Sequence, residues 1–243
     1  MIFDVNCKKR YFCLEGNMGV GKTTFLKCVG SRLNAQIVYE PVDSWRNING
    51  VDLLGEFYAD KARWGYTFQA YAFVTRLWAM EEHSKKNSHP IQLLERSVYA
   101  DRHCFAQNLH ELGCMSDLEW ELYSSWYSWW YTHYTEKPAG FIYLRADPSV
   151  CFQRSKKRNR SSESSVQLSY LESLHEKHEK WLVQGIGVDE SAAGVPVLIL
   201  DCNKCFESDV VLQEQHAERV ADFIFTHYGL PVGELLTDCS CTV

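Results

Sequence analysis

No stretch of this 243-residue chain approaches the roughly 18 consecutive apolar residues that a membrane-crossing helix needs. Nor is there an excess of basic charge: 25 Lys and Arg stand against 31 Asp and Glu, a formal net charge of -6. A protein that draws its affinity from a polyphosphate backbone needs the opposite balance, so nucleic acid is not its expected partner. No repeat recurs at a period of about 20 to 50 residues, which sets solenoids and propellers aside. Paired zinc-ligand spacing is missing as well. Ten cysteines run from Cys7 to Cys241, yet Cys202 with Cys205 and Cys239 with Cys241 have no second CxxC and no HxxxH to complete a tetrahedral set. Scattered thiols fit a reducing compartment, and neither end of the sequence reads as a signal, transit or prenylation address, so a soluble, cytoplasmic protein is expected.

What is present suits one domain over residues 1–243, long enough to bury most of its apolar surface in a single core. Short apolar runs at Tyr11–Leu14, Gln36–Tyr39, Ile91–Leu94, Gly140–Leu144 and Val195–Leu200 read as buried parallel strands, and longer amphipathic segments lie between them. This alternation predicts an α/β fold, a doubly wound five-stranded parallel sheet flanked by helices. One segment, "EWELYSSWYSWWYTHY" from Glu119 to Tyr134, is unusually aromatic. Trp120, Tyr123, Tyr127 and Trp130 share a helical face, Trp126 and Trp129 are expected to extend the stripe, and part of it is expected to meet a second subunit.

The strongest signal is "GNMGVGKTT", Gly16 to Thr24, between an apolar strand and a plausible helix. Gly16, Gly21, Lys22 and Thr23 satisfy GxxxxGK[ST]. In such a loop glycines let backbone N–H groups curl round phosphate oxygens, the lysine reaches the terminal phosphates and the Thr hydroxyl ligates Mg2+. Three classes share the device. A switch GTPase would need DxxG and NKxD, but "DLLG" at Asp52–Gly55 follows a loop rather than a strand, and "NKCF" ends in Phe206 where guanine requires a carboxylate. A motor would end a later strand with a metal-holding aspartate, whereas "IQLLERS" ends with Glu95, Arg96 and Ser97. A carboxylate followed at once by an arginine suits a small kinase, one side chain organising metal and the next gripping charge.

A kinase must also deprotonate its acceptor. Glu40 in "YEPVDSW" follows the second strand and borders the crevice at the strand carboxyl ends, placing it as general base, with Trp45 offering a flat wall to a ring. Further on, Phe68, Ala72 and Arg76 recur every fourth residue on one helical face with Gln69 beside them, among Tyr58, Trp64 and Tyr71. A glutamine amide both donates and accepts, as base-edge reading requires. Beyond the fourth strand, Arg154, Arg158 and Arg160 lead into the serine-rich "NRSSESS", read as a mobile lid over about residues 154–166 that neutralises the transferring phosphoryl group.

Assembled, these pieces resemble the deoxyribonucleoside kinase family, in its deoxycytidine and deoxyguanosine kinase branch. The resemblance covers residues 11–228 and is carried by "EGNMGVGKTT", "YEPVDSW", "FYADKARWGYTFQAYA", "ERSVYADR", "YLRADPSVCFQR", "KRNR" and "LSYLESLHEKHEKWL". It implies transfer of the terminal phosphoryl of ATP or UTP to the 5'-hydroxyl of a deoxyribonucleoside in nucleotide salvage, with Mg2+, in a homodimer. Residue by residue it implies that Glu40 takes the proton, Arg96 steadies the oxygen and Glu95 acts with Thr23 on the metal side. Asn17, Met18, Gly19, Val20 and Thr24 complete the donor loop with Lys22, and Phe206 meets the donor base. Tyr58 and Glu163 match the pair on the sugar 3'-hydroxyl, Gln69 the residue on the base, and Trp45, Phe68 and Phe105 the slot walls, with Leu54 and Phe57 alongside.

Arg76 and Asp101 occupy the positions where that branch carries facing charges, with Ala72 beside them, and thymidine-preferring relatives have small or apolar residues there. The expected substrates are deoxycytidine and purine deoxynucleosides ahead of thymidine, the alternatives being a broad-specificity or thymidine-preferring kinase and, more distantly, a non-catalytic nucleotide sensor on the same loop. Three features depart from the pattern: Phe57 where a smaller residue is common, Cys205 in place of a usual acid beside the donor base, and the tail 229–243, which has no counterpart.

Overall fold

A computed structural model describes residues 10–86, 89–134 and 137–228. The tail, with Cys239 and Cys241, lies outside the described residues. Five parallel strands, β1 (Arg10–Glu15), β2 (Gln36–Val38), β3 (Ile91–Glu95), β4 (Gly140–Arg145) and β5 (Val197–Asp201), form one sheet in the order β2-β3-β1-β4-β5. All of β3 and all but one residue of β1 and of β4 are buried, as expected where helices cover both faces. The expected doubly wound sheet is therefore present, with small shifts at two ends. Tyr39 falls outside β2 and is exposed, and β5 starts after Pro196, which has no N–H to add to a ladder.

Helices fill the crossovers. α1 (Lys22–Cys28) follows β1, and α2 (Val42–Arg46), α3 (Leu53–Ala59) and α4 (Lys61–Lys86) join β2 to β3. Asp52 starts α3 by accepting from Gly55 N at 2.9 Å, and Asp60 starts α4 by accepting from Arg63 N at 3.0 Å, each satisfying an otherwise orphaned N–H. After β3 come α5 (Val98–Ala100), a π-helical turn over Asp101–Ala106, α6 (Gln107–Glu111) and α7 (Asp117–Tyr134). α8 (Pro148–Arg158) and α9 (Leu168–His178) link β4 to β5, and α10 (Val210–Tyr228) closes the described chain.

The aromatic helix α7 divides its side chains between two environments. Tyr123, Tyr127 and Trp130 are buried against Phe73 of α4, with ring centroids 5.6 to 6.5 Å apart. Trp126 and Trp129 do not continue that stripe: they are 58% and 49% exposed. The cause is angular, because they lie one residue from Tyr127 and Trp130 and so are turned about 100° away. Leu122 is exposed on the same helix, four and seven residues before Trp126 and Trp129, and Val74 and Trp78 are exposed on the neighbouring α4.

Candidate active site

The carboxyl ends of β1, β2 and β3 point into one cavity of about 520 Å3, within the range of small-molecule sites. The loop from Gly16 to Gly21 closes one end of it. Gly16 and Gly19 are required on two counts: their φ values are +144° and +76°, and a Cβ would lie 2.6 Å from Leu144 O and 2.2 Å from Cys151 O respectively. The loop thus nests against β4 and α8 closely enough that only glycine fits. Met18, Gly19, Val20, Gly21, Lys22, Thr23 and Thr24 line the cavity. Gly16 and Asn17 stand behind them, Asn17 donating through its side chain to Leu171 O of α9 at 2.8 Å.

Lys22 is buried and donates to Gly16 O and Asn17 O, both at 3.0 Å. Burial and the Arg96 charge pull its ammonium down to about 7, with Glu40, Glu95 and Glu15 resisting. Thr23 Oγ1 donates to Glu95 Oε1 at 2.5 Å, so the hydroxyl and carboxylate expected on the metal side meet. Burial, and next the charge of Glu40, push Glu95 up; its carboxylate and the Thr23 hydroxyl are hard oxygen donors of the kind that Mg2+ takes.

Glu40 stands at the centre of the opposite end. Its Oε1 accepts from Arg76 Nη2 at 2.5 Å and Arg96 Nε at 3.1 Å. Burial favours its neutral form, but the charges of Arg76, Arg96 and Lys22 outweigh that and hold the carboxyl well below the usual carboxylate range. It is therefore ionised and oriented by two guanidiniums. Arg76 also donates through Nε to Asp101 Oδ2 at 2.8 Å. Asp101 and Glu40 together keep that guanidinium charged despite its burial, while burial pushes Asp101 upward because its one partner is shared. Asp101 opens the π-helical turn after α5, an irregularity common at functional sites.

Arg96 has φ +63°, a left-handed conformation that a non-glycine residue holds only under constraint. Its N–H donates to Leu14 O at 2.9 Å, and the adjoining Ser97 hydroxyl donates to the buried Glu15, so both sides of Arg96 are fastened to the end of β1. The Arg96 guanidinium lies 4.5 Å from the ring centroid of Phe105.

The slot beside this centre is aromatic. Phe57 stacks on Phe68 with centroids 4.6 Å apart and planes 14° from parallel, and Trp45 meets Phe68 edge-on at 5.4 Å while its Nε1 donates to Thr75 Oγ1 at 2.8 Å. Leu54, Tyr58, Gln69, Arg76, Asp101 and Phe105 share the lining, with Ala72 buried behind it. Trp64 and Tyr71, grouped with the slot from sequence, do not line it; Trp64 instead carries the Arg63 guanidinium on its face at 4.3 Å. Three buried polar atoms at this end, Gln69 Oε1, Arg76 Nη1 and Arg96 Nη1, have no partner within the protein. Such atoms are costly unless a ligand completes them.

The serine-rich segment holds more buried surface than its composition suggests. Ser162 and Glu163 are buried in a short 3-10 turn over Ser161–Glu163, where Glu163 accepts from Arg158 and from Arg160 Nη1 at 3.3 Å. Arg154 behaves differently, donating to Val20 O, Cys202 O, Asn203 O and Lys204 O at 2.8 to 3.1 Å and so joining the loop after β5 to the phosphate loop. Phe206 sits edge-on to Phe25 at 5.8 Å over Gly21, and Glu207 lines the cavity next to it. Val42, Lys27, Lys157 and Glu207 line the cavity without having been singled out from sequence. Lys157 lay inside the conspicuous "KKRNR" run and Val42 inside "YEPVDSW", whereas Lys27 had no signal beyond adjacency to the phosphate loop.

A family model described as deoxynucleoside kinase matches residues 12–227. The chain belongs to this family. Mitochondrial thymidine kinase 2 of Homo sapiens is 35% identical, with 88% of this chain and 78% of that protein covered. Deoxycytidine kinase 2 of Gallus gallus is also 35% identical, over 88% and 90% of the two chains, and the mitochondrial deoxyguanosine kinase of Xenopus laevis is 34% identical over 87% and 88%. As a deoxynucleoside kinase the protein is a phosphotransferase, and a nucleoside and a nucleoside triphosphate are its two substrates. Among the described residues no helix is long and apolar enough to cross a membrane.

Proposed function

We propose that this kinase transfers the terminal phosphoryl group of ATP to the 5'-hydroxyl of deoxycytidine and purine deoxynucleosides, with thymidine a poorer acceptor. The observation that carries the reading is the chain Asp101, Arg76, Glu40, Arg96, a run of alternating charges ending beside the donor loop. Its outer end meets the base and its inner end meets the hydroxyl. Gln69 Oε1 is an acceptor without a partner and Arg76 Nη1 a donor without one. A base edge presenting an amino group beside an acceptor nitrogen completes such a pair, and the charged Arg76–Asp101 contact crowds the place of thymine's methyl.

In the reading proposed, Glu40 receives the hydroxyl proton, Arg96 holds the oxygen in line, and Tyr58 and Glu163 fix the 3'-hydroxyl. Phosphoryl transfer through a loose transition state asks mainly for positioning and charge neutralisation, so a firmly ionised Glu40 held by two guanidiniums suits the task. Lys22, Arg158 and Arg160 neutralise the phosphates. Thr23 and Glu95 would hold Mg2+, whose chemistry is to bridge and neutralise phosphate oxygens. The protein works as a homodimer, supported by the exposed apolar side chains of Leu122, Trp126 and Trp129 with Val74 and Trp78. The cytoplasm is proposed on the free thiols of Cys13, Cys28, Cys104, Cys114, Cys151, Cys202 and Cys205.

The test is a panel of the four deoxynucleosides, each offered ATP or UTP, with product monophosphate measured. Phosphorylation of deoxycytidine and at least one purine above thymidine is expected. A thymidine preference would overturn the base assignment, and UTP as the better donor would overturn the choice of ATP.

A further inference from the structure

Beyond the site itself, one contact joins its two halves. Asp52 uses both carboxylate oxygens: Oδ1 caps α3 by accepting from Gly55 N at 2.9 Å, and Oδ2 accepts from Ser162 Oγ at 2.5 Å. Ser162 in turn accepts from Arg46 Nε at 3.3 Å. Ser162 is buried, and its neighbour Glu163 gathers Arg158 and Arg160. Three elements therefore meet at one hydroxyl. α2 carries Trp45, α3 carries Leu54, Phe57 and Tyr58, and the turn carries the arginines of the donor side.

We propose that Asp52 and Ser162 are positioning residues whose hydrogen bond couples filling of the nucleoside slot to seating of the arginine turn over the triphosphate. A nucleoside settling against Trp45 and Phe57 orders α2 and α3. Through Asp52 and Arg46 that order reaches Ser162, and one residue further it reaches Glu163 and its arginines, in addition to the direct contact of Glu163 with the 3'-hydroxyl in the reading above. Linkage makes the effect reciprocal, so each ligand tightens the other by the same factor. Neither residue touches the reacting atoms. Ser165 Oγ donating to Tyr58 O at 3.2 Å adds a second tie between the turn and α3, so loss of Ser162 weakens the coupling without freeing the turn.

The proposal rests on the reading of Arg158 and Arg160 as donor-side groups, and the experiment separates the two. The dissociation constant of deoxycytidine is measured by calorimetry with and without saturating non-hydrolysable ATP analogue, in the full chain and in Ser162→Ala, Ser162→Thr and Ser161→Ala. The unsubstituted protein is expected to bind nucleoside several-fold more tightly with the analogue present. Ser162→Ala reduces that factor by roughly three- to tenfold while each ligand alone binds within about twofold of normal. Ser162→Thr restores it, and Ser161→Ala, on an exposed hydroxyl of the same turn, leaves it unchanged. Should Ser162→Ala fail to fold, Arg46→Gln removes the third member of the cluster and is expected to reduce the same factor. An unaltered coupling factor in a folded Ser162→Ala or Arg46→Gln protein overturns the latch even if the nucleoside is phosphorylated normally. A factor of one in the unsubstituted protein overturns it as well. Failure of the functional reading shows separately, as absence of nucleoside phosphorylation.

Discussion

The donor and acceptor ends of the cavity are built on opposite principles. The proposed donor end is led by one continuous stretch, Met18 to Thr24, whose backbone is shaped by glycines that no other residue can replace, with Arg158, Arg160 and Phe206 reaching it from elsewhere in the chain. The acceptor end is assembled from side chains on α2, α3, α4, the end of β3 and the π-helical turn, held by a chain of alternating charges. Backbone N–H groups read phosphate whatever nucleoside it belongs to; side chains read which nucleoside is present. Damage should therefore differ in kind. An added methyl harms the donor end by collision, whereas a removed charge harms the acceptor end by stranding its partner.

The largest effect is expected at Glu40. Glu40→Gln keeps the shape but not the charge, and turnover should fall by roughly two to four powers of ten while deoxycytidine affinity changes only a few-fold, by steady-state kinetics and calorimetry. Next comes Arg76→Met, which leaves Asp101 and Glu40 buried with one partner fewer. Removing one member of a buried pair costs about 3 to 5 kcal/mol, readable as a lowered unfolding midpoint in urea. The double variant Arg76→Met with Asp101→Ala should recover much of that loss and move the preference toward thymidine by about tenfold. Recovery without a change of preference would separate stability from recognition at this pair.

A smaller loss is expected at the donor end. Gly19→Ala forces a methyl against Cys151 O and should cost about 1 to 3 kcal/mol, with the KM for ATP raised about tenfold and nucleoside affinity in the absence of ATP little changed. Equal damage to both ligands would erase the distinction drawn between the two ends. The remaining effects are on pH. With Lys22 at about 7 in the empty site, triphosphate binding above that pH must bring a proton, so donor affinity should be flat below pH 7 and fall as pH rises above it. Calorimetry at pH 8 in buffers of different ionisation enthalpy should register proton uptake.

A second pH effect, on stability alone, is expected at Glu15. Burial raises it from an ordinary 4.5 to about 7, so between those values the folded protein binds more protons than the unfolded one and stability falls as pH rises. Glu15→Gln should flatten that limb of the melting profile, a change of roughly 3 kcal/mol at most.

The contrast also explains what the sequence revealed. The phosphate loop was legible because its residues are adjacent and their types are dictated by backbone geometry. The strands were legible as short apolar runs between amphipathic segments, β1, β3 and β4 being buried almost throughout and β2 and β5 only in part. Glu40 and Gln69 were read from their places after β2 and on one face of α4, whereas the pairing of Arg76 with Asp101 came only through resemblance, since that contact joins residues far apart in the chain. The division of α7 was misread at Trp126 and Trp129 because tryptophan alone does not say whether the surface opposite it is core or open. The serines of the lid disguised the buried turn for a similar reason: Ser162 and Glu163 are buried by partners, Asp52 and Arg158, on other elements.

The central claim is that the charge chain from Asp101 to Glu40 selects the base at one end and activates the hydroxyl at the other. The most direct measurement is a competition assay in which deoxycytidine and thymidine at equal concentration are offered to the enzyme with ATP and the two monophosphates are quantified. A kcat/KM ratio of ten or more in favour of deoxycytidine is predicted; an equal or inverted ratio would contradict the account.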